Sequence, residues 1–108
     1  MNAPDALVIL CTCPDEATAR GIATALLAAE LAACVNCVAG IRSMYRWEGQ
    51  IRDEAEVLLV IKTSAARYGA LEALIRASHP YDFPEIIGLP VVAGAADYLK
   101  WIGQATGT

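Results

Sequence analysis

The residues best suited to chemistry are four cysteines, Cys11, Cys13, Cys34 and Cys37, and a single histidine, His79. A thiolate with an imidazole is a soft donor pair that suits copper or zinc. Two ligands fall short of the four that a structural zinc site takes, so Cys11 and His79 support a weak, open or intersubunit site. Cys11 and Cys13 belong to one apolar run. On a strand they face the same way, about 7 Å apart, and could share an ion only with some bending. Both also read as small apolar core fillers. Cys13 falls near a predicted helix N-terminus, which would make it the more reactive thiol. Cys34-Val35-Asn36-Cys37 has the C-x-x-C spelling of a metal or redox motif, but strand residues three apart face opposite ways, which favours packing. His79, between Ser78 and Pro80, equally fits a helix C-terminal cap.

The elements that must position these residues follow from pattern. Residues 7–13 form a short buried strand, stopped by Pro14, which suits the first turn of a helix. That helix carries Ile22, Leu26 and Ala29 at helical spacing and runs to about Leu31, with Asp15 and Glu16 in its first turn. Residues 34–47 and 50–63 form a long hairpin turning at Glu48-Gly49-Gln50, with Gly40 at a bulge or bend. Thr63 or Ser64 caps a second helix in which Tyr68, Leu71, Leu74 and Ile75 share a face, ending before Pro80. Residues 84–92 form a fourth strand, placed at an edge by Pro90. Residues 94–104 form a short terminal helix with Tyr98, Trp101 and Ile102 on its apolar face.

The order is βαββαβ plus a small helix, a ferredoxin-like α+β fold. Right-handed crossovers place strand one between strands three and four, with strand two outside strand three. Cys11, Cys13, His79 and Tyr81 then share one rim, and Cys34 starts at the other.

The hairpin outgrows the sheet. Residues 34–47 would span about 45 Å and the first strand about 23 Å, leaving backbone groups beside Met44, Tyr45 and Trp47 without partners inside the chain. Strand pairing between subunits satisfies them, and an obligate homo-oligomer is expected; the alternative is a bent hairpin that curls over its own core. In an oligomer, Trp47, Tyr81, Asp82 and Glu85 would line a cleft between chains for a cation or small polar ligand. Otherwise the segment around Phe83-Pro84 is a rigid solvated loop.

The 108 residues fit one domain, 1–108. Hydrophobic residues make up 56% of the chain and mean hydropathy is +0.44, more apolar surface than a small monomer hides easily. Net charge is −4 with Lys and Arg scattered, which argues against nucleic acid. No apolar stretch reaches membrane-spanning length, and Met-Asn-Ala-Pro-Asp lacks the basic start of a signal peptide, so a soluble cytoplasmic protein with reduced cysteines is expected. No P-loop or nucleophile elbow is present, and a binding protein rather than an enzyme is expected.

Leu10-Cys11-Thr12, Leu31-Ala32-Ala33-Cys34-Val35-Asn36, Tyr45-Arg46-Trp47-Glu48-Gly49, Val60-Ile61-Lys62-Thr63, His79-Pro80-Tyr81-Asp82, Pro84-Glu85-Ile86-Ile87 and Asp97-Tyr98-Leu99-Lys100-Trp101-Ile102, in this order, resemble the CutA divalent-cation-tolerance family. The resemblance implies a homotrimer of ferredoxin-like subunits, similar in architecture to the PII signalling proteins, and a role in tolerance to copper and other divalent cations. It also implies copper ligation by the cysteine at position 11 and by two histidines before the Pro-Tyr segment. Here those two places hold Ser78 and His79. The competing reading is a PII-like sensor or trimeric scaffold whose cleft binds a small ligand.

Overall fold

The computed structural model describes residues 5–108. Its elements run β1 (Ala6–Cys13), α1 (Glu16–Ala28), β2 (Cys34–Trp47), β3 (Gln50–Ser64), a 3-10 turn (Ala65–Arg67), α2 (Tyr68–Ser78), β4 (Ile87–Pro90) and α3 (Ala96–Ala105). The sheet order is β2-β3-β1-β4 and every neighbouring pair is antiparallel, as the crossover argument requires.

Alternation on β1 sends Ile9, Cys11 and Cys13 to one face, where Val57, Leu59 and Ile61 of β3 join them. Helix α1 brings Ala19, Ile22 and Leu26, three or four residues apart, and α2 brings Leu71 and Ile75. These side chains form one core between the sheet and two helices. Each fully buried aliphatic group contributes about 1.5–3 kcal/mol.

Local signals explain the departures from the expected boundaries. The N-cap of α1 is Asp15, whose carboxylate accepts the Thr18 N–H at 2.7 Å, so Pro14 precedes the helix and Cys13 is not its cap. The helix stops at Ala28 rather than near Leu31 because Glu30 takes a left-handed φ of 58° and the Leu31 N–H reaches back to the Leu26 carbonyl. That stop normally carries glycine, and here it does not. Neither Thr63 nor Ser64 caps α2 with its side chain: the Thr63 hydroxyl donates to the Leu31 carbonyl at 2.7 Å, and the Ser64 hydroxyl accepts from Thr106 at 3.0 Å. Strand β4 is an edge strand ending at Pro90, but it covers only Ile87–Pro90 rather than residues 84–92.

The hairpin is as long as expected. β2 and β3 have 14 and 15 residues against eight in β1, whose pairing with β3 ends at Cys13 and Val57. Among the described residues, no strand pairs with residues 50–56 on the β1 side. Register shifts between Val38 and Ile41, where Gly40 has φ 78°, so the expected bulge lies at that glycine. At the apex Glu48 and Gly49 both have positive φ, which suits a tight hairpin turn.

The sheet face away from α1 and α2 is covered at one end by α3 and, at Glu56, by the segment after α2. At the α3 end Ser64 and Thr106 are buried beside Ile102. Elsewhere that face presents Val38, Leu58, Val60, Val8, Leu10, Ile87 and Leu89, and of these Val38, Ile87 and Leu89 are 41–50% exposed.

Candidate functional site

The rim at the end of β1 is built by three short-range rules. β1 alternation gives Cys11 and Cys13 the same face, and both thiols are buried. Pro80 disfavours helical backbone in the residue before it, so α2 ends and His79 is extended, with φ −86° and ψ 138°. Pairing of β1 with β4 ends at Leu10, and Thr12 has no β4 partner. His79 fills that place: its Nε2 is 2.8 Å from the Thr12 carbonyl, and its Nδ1 accepts the Tyr81 N–H at 3.1 Å. A carbonyl can only accept and an N–H can only donate, so the imidazole is the neutral Nε2–H tautomer.

The donor atoms of Cys11, Cys13 and His79 all lie within 4.8 Å of one another. The expected pair has thus become a triad, and the thiols lean closer than strand spacing alone implies. The Cys11 thiol donates to the Thr12 carbonyl at 3.9 Å. Interaction with the neighbouring Cys11 thiol holds Cys13 below the ordinary thiol range, against burial and the charges of Glu56 and Asp15. Interaction with Cys13 raises Cys11, with burial and the charges of Cys13, Glu85 and Glu56 adding to it. Cys13 is the more acidic thiol, but its neighbour sets this rather than a helix N-terminus.

Cys34 and Cys37 stand apart from the triad. Cys34 pairs with Lys62 near the start of β2, and Cys37 is exposed opposite Leu59. All four cysteines are free thiols.

A cleft of about 870 Å³ opens on the other side of Thr12. Its walls include Trp47, Tyr81, Asp82 and Glu85, which come together within one chain, with Trp47 stacked obliquely on Phe83 at 5.9 Å. The hairpin apex therefore meets the segment after α2 without a second subunit. Sequence reasoning missed Glu56, Tyr45, Arg42 and Arg52, which also line the cleft. Glu56 is only 7% exposed and accepts the Tyr81 hydroxyl at 2.7 Å. Its place on the face opposite Val57 followed from strand alternation, but which loop would cover it did not. The Tyr81 ring packs on His79 at 4.7 Å, so one tyrosine joins cleft and triad.

With this geometry defined, comparison with known proteins is informative. The family described as CutA1 divalent ion tolerance protein matches residues 7–105. The chain belongs to this CutA1 family. It is 44% identical over 105 residues to a divalent-cation tolerance protein CutA of Citrobacter koseri, covering 97% of this chain and 91% of that one. CutA1 of Shewanella sp. SIB1 superposes with a TM-score of 0.95 at 40% identity, covering 99% of this chain and 100% of the other. CutA from Archaeoglobus fulgidus, described as periplasmic, superposes at 0.90 with 33% identity, covering 94% and 98%. The CutA1 fold accounts for the rim topology, and the relatives are named for divalent-cation tolerance. No described helix is long and apolar enough to cross a membrane.

Proposed function

We propose that this CutA1-family chain acts as a homotrimeric metal-binding tolerance protein, with Cys11 and His79 as ligands and copper among the cations it takes up. The observation that carries this reading is the convergence of thiol and imidazole donors within 4.8 Å at the buried end of β1. Sulfur and imidazole nitrogen suit copper and zinc over magnesium or calcium. Both histidine nitrogens already have partners, so binding gives up one hydrogen bond of about 0.5–1.5 kcal/mol. That cost lowers affinity by about tenfold at most. We read the chain as a binding protein rather than an enzyme, and free thiols favour a reducing cytoplasm.

The overhanging hairpin and the apolar sheet face support self-association. A trimer would pair the free edge of β3 and cover Val38, Ile87 and Leu89. The cleft beside Tyr81 favours a second reading, a PII-like sensor of a small polar ligand, because its buried carboxylate is oriented by one tyrosine hydroxyl.

Calorimetric titration with Cu²⁺ and Zn²⁺ distinguishes the two. The metal reading predicts saturable binding that Cys11→Ser and His79→Ala each weaken. Isotherms that neither substitution alters would remove it.

A further inference from the structure

We propose that Cys13 is a third ligand of the metal site and that the site selects monovalent copper over divalent ions. This rests on the metal-binding reading above and sharpens it.

The donor set is two sulfurs and one nitrogen, drawn from Cys11, Cys13 and His79. Both thiols belong to the same face of β1, which is hydrogen-bonded to β3 through Cys13, so the sheet fixes their backbone positions and the lean of the side chains brings the sulfurs together. Cys11 and Cys13 are fully buried and His79 is 8% exposed, so the imidazole is the one side through which an ion can enter.

Coordination number decides among the ions. Zn²⁺ at a structural site takes four ligands, and Cu²⁺ prefers a tetragonal set richer in nitrogen and oxygen. Cu⁺ is soft, favours thiolates, and is satisfied by two or three donors without water. No further cysteine, histidine or carboxylate joins the cluster among the described residues, and the one oxygen beside it, the Thr12 carbonyl 2.8 Å from His79 Nε2 and 3.9 Å from Cys11 Sγ, is a hard donor that soft Cu⁺ does not need. Glu56 is held by the Tyr81 hydroxyl and belongs to the other face of the sheet, Cys34 lies near the far rim, and Cys37 is exposed on β2. A divalent ion would have to bring a water to the edge of the apolar core cluster that holds Cys11 and Cys13, where that water finds few partners.

The test is anaerobic competition for Cu⁺ against a chromophoric Cu⁺ chelator, alongside Zn²⁺ and Cu²⁺ titrations and copper-edge X-ray absorption of the wild-type complex. The expected result is one Cu⁺ per chain, bound more tightly than either divalent ion, with a shell of two sulfurs and one nitrogen. Loss of a ligand should cost at least as much as loss of an outer-shell partner, so Cys13→Ala should weaken Cu⁺ by about tenfold or more. Cys37→Ser should leave it unchanged. The absorption measurement needs no variant, so it decides the matter even if Cys13→Ala misfolds. A one-sulfur shell, an unchanged Cu⁺ affinity in folded Cys13→Ala, or tighter Zn²⁺ or Cu²⁺ binding overturns this proposal while leaving Cys11 and His79 as metal ligands. Absence of binding for all three ions overturns both.

Discussion

The hydroxyl of Tyr81 donates to the buried carboxylate of Glu56 at 2.7 Å, tying the segment after α2 to the root of the hairpin. Burial, then this hydrogen bond and the charge of Glu56, raise the Tyr81 phenol above its ordinary range. A raised phenol keeps its proton in the folded state. Its contribution to stability is therefore full below the unfolded value, about 10, and is lost as pH rises beyond it.

Tyr81→Phe removes the donor and keeps the ring. It should destabilise the protein by about 1 kcal/mol near neutral pH, because Glu56 loses its hydrogen bond while remaining buried. Urea unfolding near pH 7 and again above about pH 10 checks the sign, since the gap between variant and wild type should shrink at the higher pH. A gap that widens there would contradict the assignment.

Thr63→Val should cost about 1–3 kcal/mol, because the buried Leu31 carbonyl would lose the hydroxyl that meets it at 2.7 Å. That bond joins the exit of α1 to the middle of the sheet. Chemical denaturation with an unchanged slope and a lowered midpoint is the expected signature.

Sedimentation velocity at micromolar concentration should find three chains per particle. Leu89→Lys, on the exposed sheet face and outside the α1–α2 core, should shift the population towards single chains by placing a charge in the buried contact. A wild-type protein that is monomeric and fully folded would remove the trimer from the account.

The fold was legible because its signals are local and redundant. Alternation in β1 and β3 and the apolar spacing of α1 and α2 gave the element order, and crossover handedness then gave the strand order. Boundaries failed where the stop is not written in residue type: Glu30 ends α1 in a conformation usually left to glycine, and Thr63 and Ser64 spend their hydroxyls on tertiary partners instead of on α2. The rim residues Cys11, Cys13 and His79 were also legible, since strand parity and Pro80 fix them. The closeness of the two thiols was not, because strand spacing sets backbone positions and leaves side-chain lean open. The cleft wall at Glu56, Arg42 and Arg52 depends on how the hairpin apex approaches Phe83, a long-range contact that no local pattern encodes.

The central claim is that metal binds at the end of β1. Anomalous diffraction at the copper edge, from crystals grown anaerobically with one equivalent of copper, tests it most directly. The account predicts one strong peak per chain between the Cys11 sulfur and the His79 ring. A peak at Cys37, a peak in the cleft beside Glu85, or no peak at all would contradict it.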